Sequence, residues 1–266
     1  MMVGVRAVRR RGYLLPVLIV TLIALIGPEP GPATPAQEWI AFTGSDTHGT
    51  SGANIELLTL DGSQRLNLTQ SRTLNQQRPS WSPDGQRIAF DGGNVPQIRI
   101  YTINADGSGL RRVTGPRPGW PAWPSWSPDG RWIAFLANGR VLDTVTVYRI
   151  RPDGSRLHEW RFPGRPYVTA RGGAVPVWSP DGERVAFSET VVRRGSDGRL
   201  SGQLEIFTAY ADGRALKRLT FSPKDDLTPA WSPDGTKIAF TSNRSARDGR
   251  QNDIYVMNAD GRSRRD

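Results

Sequence analysis

The sequence predicts an all-β protein built from repeated four-stranded antiparallel units, and three observations predict it. The pentapeptide Trp-Ser-Pro-Asp-Gly occurs four times, beginning at Trp81, Trp126, Trp178 and Trp231, at steps of 45, 52 and 53 residues. A triplet (Ile/Val)-Ala-Phe occurs five times, ending at Phe42, Phe90, Phe135, Phe187 and Phe240. An apolar segment closing on Asp-Gly follows each triplet, as in IYTINADG at 100–107 and IYVMNADG at 254–261. Self-similarity at a fixed period of this size marks a repeat architecture.

Each element reads as a short strand. The first is the Trp-Ser segment, and the turn after it has Pro presetting φ, Asp able to bond its own backbone, and Gly free to take a positive φ. The motif residues are Trp81, Asp84 and Gly85; Trp126, Asp129 and Gly130; Trp178, Asp181 and Gly182; Trp231, Asp234 and Gly235. The Ala-Phe triplet is the second strand, and the segment ending in Asp-Gly is the third. The fourth ends in Thr at LNLT 66–69, RRVT 111–114 and KRLT 217–220, with LHEWRF at 157–162 in its place in the third repeat. Aromatic and β-branched residues between such turns favour strands. Four strands per repeat of this length is the pattern of a β-propeller blade, whose faces are buried by neighbouring blades. About five blades are represented, with 18 strands, and the ring is expected to be incomplete: the first blade lacks its first strand and the fifth its fourth. A prematurely ended reading frame, an open ring and closure by another subunit all fit that count.

Two regions are expected: residues 1–37, a signal peptide or uncleaved membrane anchor with a Pro-rich linker, and residues 38–266, the propeller. Arg6, Arg9, Arg10 and Arg11 precede the uncharged run YLLPVLIVTLIALI at 13–26, and Ala33 and Ala36 lie beyond it. Positive, apolar and small-residue segments in that order form an export signal. Fourteen apolar residues are short of the roughly 20 that span a bilayer. The expected location is therefore periplasmic or extracellular, with possible anchoring of the chain to the cytoplasmic membrane through 13–26.

Composition excludes several chemistries. With 0 Cys there is no disulfide, thiolate nucleophile or Cys metal site, and 2 His are too few for a multi-His centre. The chain has 35 Lys+Arg against 25 Asp+Glu, yet no block of five like charges and no nucleic-acid module, so no nucleic acid is expected as a partner. There is no G-x-S-x-G elbow, H-E-x-x-H or nucleotide fingerprint. No cofactor, metal or catalytic residue is assigned. Weaker candidates are His48 and His158, calcium at the turn aspartates, a carboxylate pair from Asp225, Asp226 and Glu183, and a sugar platform from Trp120, Trp123 and Trp126.

The order Pro-x-Trp-Ser-Pro-Asp-Gly, Ile-Ala-Phe, Ile-Tyr-x-x-Asn-Ala-Asp-Gly, Leu-Thr resembles the WD-like propeller repeat of the TolB-type family over residues 39–261. The resemblance implies an extracytoplasmic β-propeller that holds other macromolecules. It extends to the propeller repeat alone: the α/β domain that precedes it in TolB is not expected here, because only Pro28 to Glu38 separate the apolar run from the first strand.

Antiparallel strands place successive turns on alternate ends of a blade. The Ser-Pro-Asp-Gly and Asp-Gly turns share one face, and the connections of variable length share the other, including 44–54, 163–176, 188–203 and 241–253. Binding concentrates on variable loops held by a rigid scaffold. The candidate ligand face therefore carries Arg165, Arg171, Arg193, Arg194, Arg199, Arg244, Arg247 and Arg250. The expected function is a cell-envelope binding or scaffold protein without catalysis, taking an envelope protein or an anionic or glycan ligand. A propeller-type carbohydrate-active or hydrolytic enzyme, and the sensor ectodomain of a membrane-anchored regulator, are the alternatives.

Overall fold

A computed structural model describes residues 38–44, 52–71, 74–116, 118–138, 145–160, 175–194, 200–245 and 252–262. The residues 13–26 lie outside this set. Among the described residues all regular structure is β, in five antiparallel sheets. The first blade holds β1 (Trp39–Gly44), β2 (Asn54–Thr59) and β3 (Arg65–Asn67). The second holds β4 (Gln76–Trp81), β5 (Arg87–Gly92), β6 (Arg99–Asn104) and β7 (Arg111–Arg112). The third holds β8 (Gly119–Trp126), β9 (Ile133–Asn138), β10 (Val145–Ile150) and β11 (His158–Glu159). The fourth holds β12 (Val177–Trp178), β13 (Arg184–Arg194), β14 (Leu200–Tyr210) and β15 (Lys217–Arg218). The fifth holds β16 (Asp226–Trp231), β17 (Lys237–Ser242) and β18 (Asp253–Asn258). Strands pair in chain order within every blade, as the repeat predicts.

One alternation in the second strand builds the core. Residues i and i+2 of a strand share a face. In Ile88-Ala89-Phe90, Ile88 and Phe90 face the preceding blade, where they cluster with Ala41, Ile55 and Leu57. Ala89 faces the following blade and joins Phe135, Ile133 and Tyr148. Ala186 likewise receives Phe240 and Ile238. The bulky residue of one blade thus fills the space left by the small residue of the blade before it. Each buried Phe also stacks on an aromatic of its own third strand: Phe90 on Tyr101 at 5.7 Å, Phe135 on Tyr148 at 5.6 Å, Phe187 on Phe207 at 6.2 Å and Phe240 on Tyr255 at 5.9 Å between centroids.

The first strands of neighbouring blades pack on one another and form the hub. The indole Nε1 of Trp178 donates to Ser125 O at 3.0 Å, and that of Trp231 to Val177 O at 3.1 Å. Each acceptor is the residue before the tryptophan of the preceding blade. Trp126 is buried beneath the Arg87 guanidinium, 5.0 Å from its ring.

The Ser-Pro-Asp-Gly turns have one geometry. In the second blade Ser82 Oγ donates to Asp84 Oδ1 at 2.5 Å and accepts from the Arg87 N–H at 2.9 Å. Asp84 Oδ1 accepts from the Gln86 N–H at 3.0 Å, and the Gly85 N–H donates to Ser82 O at 2.9 Å. Gly85, Gly130, Gly182 and Gly235 hold φ between +67° and +71°. A Cβ on Gly130 would stand 3.4 Å from Pro83, one on Gly182 3.7 Å from Pro128, and one on Gly235 3.6 Å from Pro180. The turns therefore stack glycine on proline from blade to blade. Their hydroxyl and N–H donors hold the carboxyls of Asp84, Asp181 and Asp234 below the usual range, Asp234 down to about 2, chiefly through Ser232. The Thr that closes the fourth segment caps the third strand: Thr69, Thr114 and Thr220 accept from the N–H of Ile55, Ile100 and Ile206 at 2.9–3.0 Å.

One connection differs from its sequence reading. Residues 188–203 are mostly strand, because β13 and β14 run in register from Arg184–Tyr210 out to Arg194–Leu200. Thr190, Val191 and Val192 favour extended backbone. Val191 packs on the core shared with the third blade, and Leu204 is buried.

The interlock predicts unequal costs at equivalent positions. Phe135→Ala, which empties a fully buried site, should lower unfolding free energy by about 3–5 kcal/mol. Phe42→Ala, at the half-buried end of the array, should cost no more than about half of that by the area it covers. Urea unfolding of both variants measures the difference.

Candidate functional site

The loop face begins where each first strand starts. Proline lies two residues before the motif tryptophan at Pro79, Pro124 and Pro229, and the residue ahead of it takes a positive φ: Arg78 at 57°, Trp123 at 55° and Thr228 at 48°. Strand register shifts at each of these places. Proline is tolerated because the first strand is an edge of its sheet and the bulge removes the ladder bond. A bulge re-aims the side chain it carries.

Two of the bulges engage neighbouring blades. The Arg78 N–H donates to Thr43 Oγ1 of the first blade at 3.1 Å. Arg78 Nη1 donates to Asp91 Oδ2 at 2.7 Å, and its guanidinium lies 4.1 Å from the Trp123 ring centroid. The Trp123 N–H donates to Asp91 Oδ1 at 3.2 Å. Asp91, 4 % exposed, thus joins the second and third blades, with Arg78 reaching the first. Burial pushes its carboxyl up to about 6, against the opposing pull of Arg78 and the Trp123 N–H. Sequence reasoning missed this cluster; its one signal was an acidic residue inside a strand, where Asp is disfavoured.

Two further ion pairs sit toward the same face. Arg244 Nη2 lies 2.8 Å from both oxygens of the buried Asp226, its Nε donates to Ser242 Oγ at 3.0 Å, and the guanidinium covers Tyr255 at 4.5 Å. Arg218 Nη2 donates to Glu205 Oε1 at 2.6 Å, while Glu205 Oε2 accepts from Thr220 Oγ1 at 2.6 Å. A cavity of about 370 Å³ lies between the second-to-third loop and Leu74, lined by Val95, Pro96, Gln97 and Tyr101.

Of the eight arginines assigned to this face, Arg165, Arg171, Arg199, Arg247 and Arg250 lie outside the described residues. Arg193 and Arg194 stand near the end of β13, paired with Ser201 and Leu200. Arg244 is held in the internal clamp just described. The four motif tryptophans end the first strands of their blades, and the motif aspartates and glycines stand in the turns that follow. Asp226 does not meet Glu183: Asp226 opens β16 on the loop face, and Glu183 stands in the turn before β13 on the opposite face. The three tryptophans of GWPAWPSW also part company. Trp126 is buried, Trp123 lies under Arg78, and Trp120 is exposed with φ of 49°. His158 is exposed on β11, and His48 lies outside the described residues. Among the described residues no group of three or more His, Asp or Glu could hold a metal ion, and no helix is long and apolar enough to cross a membrane.

Blades, interlocked hub and loop face define a β-propeller repeat protein. Residues 171–266 match the TolB beta propeller domain family. The Tol-Pal system protein TolB of Syntrophus aciditrophicus is 42% identical over 78 residues, 29% of this chain and 15% of that protein. The uncharacterized peptidase YuxL of Bacillus subtilis is 28% identical over 67% of this chain and 31% of its own. A structure described as a TolB from Agrobacterium tumefaciens superposes with a TM-score of 0.61 at 21% identity, covering 87% of this chain and 80% of that one, a likeness of fold. The repeats within residues 171–266 are TolB-like propeller repeats. The matched stretches span less than a third of the length of these curated relatives.

Two expectations follow. Arg244→Ala leaves Asp226 buried and unpaired, and should cost about 3 kcal/mol in chemical denaturation. Asp91 binds a proton more readily folded than unfolded, so its contribution to stability is present at low pH and is lost as pH rises from about 4 to about 6. Asp91→Asn should remove that fall from a plot of unfolding free energy against pH.

Proposed function

We propose that this chain is an extracytoplasmic binding scaffold of the cell envelope, that its loop face takes an envelope protein or an anionic or glycan ligand, and that it carries no catalysis of its own. The observation that carries the reading is the contrast between the two faces. One is closed by near-identical stacked turns, and the other carries connections of unequal length, from the short 93–98 loop to the eleven-residue arms of β13 and β14. A rigid array with variation confined to one face is how repeat scaffolds present binding surfaces. The TolB relative, named for the Tol-Pal system, supports an envelope setting, as does the charged and apolar order of residues 6–26.

The test is capture from envelope extracts and from a glycan array. Wild-type protein should retain a ligand that Arg193→Ser/Arg194→Ser loses by roughly tenfold or more, at the level of about 1.4 kcal/mol per decade. Gln86→Ser, on the turn face, should retain it fully. Equal capture by all three proteins would remove the loop face from consideration.

The relative that is an uncharacterized peptidase supports a second reading, a hydrolytic propeller protein. Turnover of a peptide or polysaccharide panel by purified protein, abolished by substitution of a loop-face carboxylate, would establish that reading over the first.

A further inference from the structure

The two ends of the blade array are halves of the junction that the chain makes four times internally. At the third-strand position that faces the next blade, Ile55, Ile100 and Ile206 are 0% exposed and Val147 2%, whereas Ile254 is 72% exposed. Val256, two residues on and on the same face, is 37% exposed, while its counterpart Thr208 is buried at 1%. Ala239, the small residue that receives a neighbour's Phe elsewhere, is only half-buried. At the other end Ile40, Phe42 and Leu58 are half-buried, although the equivalent Ile88, Phe90 and Ile103 are fully covered. Blade five therefore presents the receiving surface and blade one the inserting surface of the same interlock. Arg65, paired with Glu56, lies over Phe42 at 5.5 Å and gives that end a thin polar cover in the free chain.

We infer that a second copy of this chain docks its first blade on the fifth blade of another, reproducing the internal blade-to-blade junction between molecules. The occupant is specified by the four internal junctions. The face around Ile254 is shaped for an Ile-x-Phe strand, and the chain carries one with its Phe incompletely covered. The contact joins unlike surfaces, so it is heterologous, and it propagates or closes according to the rotation between copies. This association does not depend on what the loop face binds.

Sedimentation velocity of the protein from roughly 1 to 100 µM tests it, the range in which a modest interface shows its Kd. The average mass should rise with concentration beyond that of one chain. Ile254→Asp, at an exposed position, should hold the protein at one-chain mass, and so should Phe42→Asp. An equal mixture of the two variants should restore dimers and stop there, because each retains one working face. Near-ultraviolet circular dichroism checks that each variant is folded. If Phe42→Asp perturbs the fold, carbene footprinting of wild-type Ile254 serves instead and should fall with concentration. A wild-type chain of single mass throughout, with Ile254 labelling unchanged, overturns the inference. So does self-association of folded Phe42→Asp alone, which would make the contact symmetric, or low labelling of Ile254 at every concentration, which would mean a segment of the same chain covers it.

Discussion

A four-stranded sheet with apolar side chains on both faces cannot stand alone in water, and the pairing of a small residue with a large one across each gap resolves this. Alanine leaves a recess on one face of the second strand. The isoleucine and phenylalanine on the other face of the next blade fill it. Hydrophobic burial is not directional, but this size alternation gives it a direction, since each blade has one receiving and one inserting side. Close packing then fixes which side of one blade meets which side of the next, because interiors tolerate neither voids nor overlap. The aromatic stacks, the proline-on-glycine turns and the threonine caps all sit around that gap and hold its walls in place.

The repeat made most of this legible before any coordinates. A motif that recurs in register names its own strands and turns, so the Trp-Ser hub, the Ala-Phe gap and the Asp-Gly turns follow from residue type and spacing. Legibility ended where contacts cross blades. Asp91 meets Arg78 and Trp123 only because two bulges bring the starts of adjacent hub strands together, and no local pattern records that. Arg244 reads as one more loop arginine until Asp226, paired with Ser242 across the hairpin, is placed beside it. The extension of β13 and β14 was obscured by polar residues, since Glu189 and Glu205 oppose one another within it. Polarity suggested a loop where backbone pairing and β-branched neighbours made strand.

The two faces divide labour in physical terms. On the turn face the chain turns its hydrogen-bonding groups on itself: in each Ser-Pro-Asp-Gly turn the carboxyl accepts from the serine hydroxyl and from the backbone N–H two residues after the aspartate. On the loop face, ion pairs such as Asp226–Arg244 brace the blade ends from beneath, while connections of differing length rise from a common base. Bracing below and variation above is the arrangement in which a surface can change specificity without disturbing the fold.

The hub tryptophans give the array a handedness in time as well as in space. In both indole bonds the donor belongs to the later blade and the acceptor to the earlier one. Each of these tryptophans, on leaving the ribosome, therefore finds the carbonyl it bonds already made. Loss of an early hub strand would leave a later indole without its acceptor, whereas loss of a late one would leave the earlier bond standing.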